Sequence, residues 1–210
     1  MMTLPQFNNP DITTEELLSE QARLHSQADK MLKETGISNI FAKYGEVSSI
    51  GGSYDYGLMV YPDLDMDIAS DQLTKNDFVS LASDLLSSSF IRKVSSVDNV
   101  TFTGTRPGMP KGYWLGIEIP FDGDKWGIDL WLQTHEWANK FDEDFDNYKA
   151  KLSGISQEQI AAILSIKYHL IRLGKYGKHD FMSFNVYDAV LDNGVLSFED
   201  FLGLLSQSKS

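Results

Sequence analysis

The stretch Ile50-Gly51-Gly52-Ser53-Tyr54-Asp55-Tyr56-Gly57-Leu58-Met59-Val60-Tyr61-Pro62-Asp63-Leu64-Asp65-Met66-Asp67-Ile68 constrains the fold more than any other part of the chain. It opens on a glycine pair and a serine after an apolar run (Val47, Ile50) and ends in aspartates at every second position. Strand side chains alternate between two faces, so Asp63, Asp65 and Asp67 share one face while Leu64, Met66 and Ile68 fill the other. Aspartate is a poor strand former, and carboxylates side by side repel. A chain that lines them up is expected to hold a cation there. Hard oxygen ligands suit Mg²⁺, which takes one or two carboxylates together with substrate phosphates.

A second breach of pattern comes later. Lys125-Trp126-Gly127-Ile128-Asp129-Leu130-Trp131-Leu132 carries one carboxylate, Asp129, inside an otherwise apolar and aromatic strand. An apolar residue, Gly-Ser, a spacer, Asp-x-Asp on a strand and then a lone aspartate on a later strand resemble the nucleotidyltransferase superfamily of polymerase-beta type. The resemblance covers roughly residues 45 to 132. It implies an α+β fold: a mixed β-sheet flanked by helices, with a C-terminal helical region.

The aspartate run has two registers. Aligned on the superfamily form Pro-Asp-Ser-Asp-h-Asp, with h an apolar residue, Pro62 selects Asp65 and Asp67, at the cost of one extra residue upstream. The run Gly57-Leu58-Met59-Val60 is similar to a group of small bacterial nucleotidyltransferase-domain proteins, and that alignment selects Asp63 and Asp65 without a gap. Asp65 belongs to both, and the second register is favoured. The resemblance assigns Asp63, Asp65 and Asp129 as catalytic residues and puts all three, with Asp67, at a metal site for one Mg²⁺ ion or two. Gly52, Ser53 and Lys167 would contact the nucleotide. Lower-grade contacts are Lys111, Arg106 and Tyr187.

Each of these has a plainer reading. Gly-Gly-Ser alone is more often a turn, although its small residues let the backbone approach a phosphate. Lys167 lies among Ile163, Leu164, Leu170 and Ile171 on the apolar face of a helix, where a lysine ordinarily snorkels to solvent. Glu118, between Ile117 and Ile119, reads as a solvent-facing strand residue ahead of a ligand. His135, His169 and His179 show no metal-like spacing, and His25 reads as a surface or half-buried helix residue ahead of a ligand.

The rest of the chain supports a globule. Its 210 residues suit one large domain or a catalytic domain with an appendage, and 42% hydrophobic with 12% aromatic residues can build a core. The pattern turns wholly helical after His135, dividing the chain into a catalytic domain over 1–135 and a helical region over 136–210. Capping boxes at Thr13–Glu16 and Ser156–Gln159 open two helices, and Thr74 with Asp77 opens another. Strands are expected near Val47–Ile50, Val100–Thr103, Tyr113–Ile119 and Trp126–Leu132, the last two joined by a turn at Asp122-Gly123. Short helices are expected at Phe184–Leu191 and Phe198–Leu205. Arg106-Pro107-Gly108-Met109-Pro110 reads as a rigid loop.

Composition narrows the partners. Without cysteine there is no disulfide and no thiolate zinc site. No apolar run reaches membrane-span length, and Met1 to Pro10 lacks a signal-like segment, so a soluble cytoplasmic protein with no membrane partner is expected. Lys and Arg total 18 against 30 Asp and Glu, a net charge of -12 that repels a nucleic-acid backbone. The expected activity is Mg²⁺-dependent transfer of a nucleoside monophosphate from a nucleoside triphosphate, ATP foremost, to a hydroxyl of a small molecule. The alternatives are transfer to a protein or tRNA, or a non-catalytic nucleotide-binding homologue.

Overall fold

A computed structural model describes residues 12–47, 50–102 and 111–207. The chain divides into two compact units. One comprises Ser26–Asp55 and Pro62–Asn147, and the other Met1–His25, Tyr56–Tyr61 and Tyr148–Ser210.

The first unit is built on a five-stranded mixed sheet in the order β1-β2-β5-β4-β3, with β1 at Glu46–Val47, β2 at Asp63–Ala69, β3 at Lys93–Asp98, β4 at Gly112–Phe121 and β5 at Asp124–Gln133. β2 and β5 run parallel, and every other neighbouring pair is antiparallel. The alternation expected of β2 holds: Leu64, Met66 and Ile68 are buried while Asp65 is exposed. β5 repeats it, with Trp126, Ile128, Leu130 and Leu132 fully buried and Gly127, Asp129 and Trp131 only half-buried. One face of the sheet is therefore core, together with Leu115, Ile117 and Ile119 of β4. The other face carries the carboxylates.

Helices complete this unit: the second half of α1 (Thr14–Thr35), α2 (Ile37–Phe41), α3 (Gly52–Asp55), α4 (Lys75–Leu86) and the start of α5 (His135–Leu152). α4 starts where its capping box places it, with Thr74 Oγ1 accepting from Asp77 N–H at 3.3 Å and Asp77 Oδ2 accepting from Thr74 N–H at 2.8 Å. The β4–β5 hairpin turns through Asp122 at φ 47° and Gly123 at φ 86°, the left-handed pair that a tight hairpin needs.

Two strand expectations change. The third strand is Lys93–Asp98, and Val100 to Phe102 form a turn after it; Thr103 lies outside the described residues, as does the Arg106–Pro110 loop. β3 reads Lys-Val-Ser-Ser-Val-Asp and, among the described residues, is an edge strand paired only with β4, with no fully buried residue to impose alternation. The first strand ends at Val47, Ile50 is not part of it, and residues 48–49 lie outside the described residues.

The second unit is helical: the first half of α1, α6 (Gln157–Arg172), α7 (Ser183–Asn193) and α8 (Phe198–Gln207) pack on a core that includes Leu17, Ile163, Ile166, Leu170, Val186, Val190 and Phe201. The cap at Ser156 forms as expected, accepting from Gln159 N–H at 3.1 Å. The segment Tyr56–Tyr61 belongs to this unit, and its Leu58 and Val60 are buried in the same core. Among the described residues, no helix is long and apolar enough to cross a membrane.

Candidate active site

Parallel pairing of β2 with β5 sets the geometry of the carboxylate face. Asp65 lies directly opposite Asp129, Asp63 opposite Gly127 and Asp67 opposite Trp131. Facing residues of neighbouring strands share one face at about 4.8 Å strand spacing, so Asp65 and Asp129 stand side by side. The N–H of Gly51 donates to Asp65 O at 3.1 Å, which draws the glycine pair onto the same row.

Two glycines make room for these carboxylates. A methyl group on Gly52 would lie 2.5 Å from Asp65 Oδ2, and Gly52 has φ +63°, so the position excludes a side chain twice over. A methyl group on Gly127 would lie 2.5 Å from Asp63 Oδ1, so the Asp63 carboxylate leans over Gly127 toward β5. Ser53 follows in α3 and is half-buried.

Asp67 is held differently. Gln133 Nε2 donates to its Oδ1 at 2.8 Å. Burial pushes the Asp67 carboxyl up to about 7, and the charges of Asp142 and Asp65 add to the rise. Among the described residues the buried Gln133 amide oxygen has no hydrogen-bond partner, and turning that amide round lets it accept from a protonated Asp67. Burial likewise pushes the Asp129 carboxyl above its ordinary range. These groups are crowded and poorly solvated, an arrangement that neutralisation by a cation relieves. Among the described residues no three His, Cys, Asp or Glu side chains gather closely enough to ligate one ion. Mg²⁺ ordinarily takes only one or two carboxylates together with phosphate oxygens.

Sequence reasoning missed several participants. Gly127 and Gly116 stand opposite Asp63 and Asp129. Asp142 and Phe145 come from α5; the charge of the first acts on Asp67, and the ring of the second is 3.3 Å from where a methyl group on Gly51 would lie. The signal available was glycine in strand interiors, which weakens a strand unless something must approach closely.

Lys167 does not snorkel. It is fully buried in the helical unit, where its Nζ donates to Leu58 O at 2.6 Å and to the Tyr187 hydroxyl at 3.4 Å. The Tyr176 and Tyr187 rings lie 5.8 and 5.5 Å from the ammonium. Tyr187 is buried beside it, Lys111 is exposed, and Arg106 lies outside the described residues. Glu118 is ion-paired to Arg92 at 2.9 Å and Lys125 at 3.1 Å, which accounts for a carboxylate in that strand. His135 Nδ1 lies 3.2 Å from Asp71 and Nε2 3.6 Å from Glu46, at a helix start.

Asp67 gives a pH prediction. With its pKa raised from 3.8 to about 7, the native protein holds a proton that the unfolded chain has already released, so stability falls as pH rises through that window. The loss is on the order of 4 kcal/mol at most. In EDTA, Asp67→Asn should match the wild type near pH 4 and exceed it in stability at pH 8, as read by urea denaturation. Parallel stability curves for the two proteins would show that Asp67 does not carry this proton.

Comparison with known proteins bears on the fold. No protein-family model matches this sequence, and no curated protein matches it significantly. Solved structures do. The chain is similar to a chain of the poly(A) polymerase complex GLD-2–GLD-3, with TM-score 0.54 and 13% identity over 86% of this chain and 57% of that one. It is also similar to a chain of the GLD-2/RNP-8 complex, with TM-score 0.52 and 14% identity over 85% of this chain and 64% of that one. This chain thus spans less than two thirds of the length of either neighbour. The likeness shows the fold alone, a nucleotidyltransferase-like mixed sheet flanked by helices.

Proposed function

We propose that this nucleotidyltransferase-fold chain is an enzyme that transfers a nucleoside monophosphate from a nucleoside triphosphate to an acceptor hydroxyl. The observation that carries the reading is Asp65 facing Asp129 across parallel strands, with the Gly51-Gly52 backbone drawn onto the same row. Asp63 and Asp65 are the pair that would hold Mg²⁺. The Asp63 carboxylate leans toward the strand that bears Asp129, whereas Asp67 accepts from Gln133 and burial disfavours its charged form. When bound, Mg²⁺ neutralises the triphosphate and favours departure of pyrophosphate.

The chain's own residues divide the remaining work. Gly52, without a side chain, lets phosphate oxygens approach the backbone N–H groups that follow, and Ser53 adds a hydroxyl donor. Asp129 accepts the proton of the acceptor hydroxyl as its oxygen attacks the α-phosphorus. A carboxylate whose burial raises its basicity is suited to that step. Lys167 is assigned to structure: its ammonium is committed to Leu58 O inside the helical unit.

The acceptor is read as a small molecule. The net charge of -12 disfavours a polyanion, although the solved neighbours include a poly(A) polymerase complex. Isothermal calorimetry with ATP in Mg²⁺ and in EDTA tests the reading. Binding that requires Mg²⁺, with pyrophosphate release on adding an acceptor, is expected; absence of binding in both would overturn it.

A further inference from the structure

We propose that the acceptor carries a planar ring, and that this ring stacks on Trp114 beside Asp129. The inference deepens the nucleotidyl-transfer reading and rests on it. Strand pairing arranges the carboxylate face in rows. One row reads Gly51, Asp65, Asp129, Gly116, Ser95, and the next reads Asp67, Trp131, Trp114, Val97.

Trp114 does not stay in its own row. A methyl group on Gly116 would lie 2.5 Å from Trp114 Cη2 and 2.8 Å from Cζ2, so the six-membered ring of the indole lies across Gly116. That places it next to Asp129 on the face that Asp65 opens to solvent. Glycine weakens the interior of a ten-residue strand, and what it permits here is the position of this ring. Trp114 is half-buried and Val97 beyond it is 44% exposed, so the ring has an accessible apolar flank.

The order of the row gives the ring its role. Gly51-Gly52 and the indole lie on opposite sides of the Asp65–Asp129 pair. A triphosphate on the Gly52–Ser53 side leaves the indole side to the acceptor, whose hydroxyl must reach Asp129. Stacking on an aromatic face tolerates many ring types, because each offers a π-surface. The acidic surface favours a small neutral acceptor over a polynucleotide.

The test measures binding, separately from turnover, with saturating Mg²⁺ and α,β-methylene-ATP. Adenosine is the ring-bearing probe and methyl β-D-ribofuranoside is the same sugar without a base. Adenosine should bind about tenfold tighter or better. Trp114→Ala should abolish that preference, Trp114→Phe should keep much of it, and Gly116→Ala should abolish it by displacing the ring. Binding of the ATP analogue shows that each variant is folded. Equal affinity for the two probes, or a preference that survives Trp114→Ala, overturns the stacking site. A short oligoadenylate that binds more than tenfold tighter than adenosine overturns the small-molecule assignment. A wild type that shows the Trp114-dependent preference but binds no ATP analogue sinks nucleotidyl transfer and leaves the stacking site standing.

Discussion

Asp129→Asn is expected to slow nucleotidyl transfer about a thousandfold while ATP binding stays within a few-fold of wild type. Asparagine keeps the shape of the side chain and its place opposite Asp65, but it can neither accept the proton of the attacking hydroxyl nor supply an anionic ligand. Proton transfer alone contributes about two to four orders of magnitude. The variant should fold at least as well as the wild type, because burial already disfavours the charged form of this carboxyl. Single-turnover transfer of label from α-labelled ATP reads the rate. A loss smaller than tenfold would remove Asp129 from the chemistry.

Lys167→Ala should cost about 3 kcal/mol of stability, through the lost burial of the alkyl stem and a carbonyl deprived of a charged donor. Leu58, whose carbonyl takes that donor at 2.6 Å, lies between the Gly52-Ser53 turn and the aspartate strand. The variant therefore loosens the segment that joins the two halves of the proposed site. Lys167→Met separates the terms: it keeps most of the stem and drops both the charge and the cost of burying it, so its loss should be about half as large. Urea denaturation with unchanged m-values decides between them. A loss below about 1 kcal/mol for the alanine variant would mean that the ammonium contact contributes little.

How much was legible depended on whether a pattern was enforced locally. The capping boxes at Thr74 and Ser156 were readable because they are satisfied within four residues. β2, β4 and β5 were readable because burial of one face imposes a period of two. β3 was not, since an edge strand with Ser95 and Ser96 has no fully buried residue to mark it, and the apolar Val100 drew the expectation past its end. The role of Lys167 was also out of reach. Its partner Leu58 is 109 residues away, and nothing in a helical periodicity tells a lysine that snorkels from one that meets a buried carbonyl.

The sequence by itself determined which side chains share a face: Asp63, Asp65 and Asp67 together, and Asp129 alone among apolar neighbours. That follows from the two-residue period of a strand, a property of the backbone independent of its partners. Only the tertiary structure decided which residues stand beside one another. Pairing β2 with β5 set Asp65 against Asp129, pairing β4 with β5 set Gly116 beside that aspartate, and the missing side chain at Gly116 let the Trp114 ring lie there. Register is a choice among pairings that alternation leaves equivalent in steps of two, and the contacts of the folded sheet make that choice.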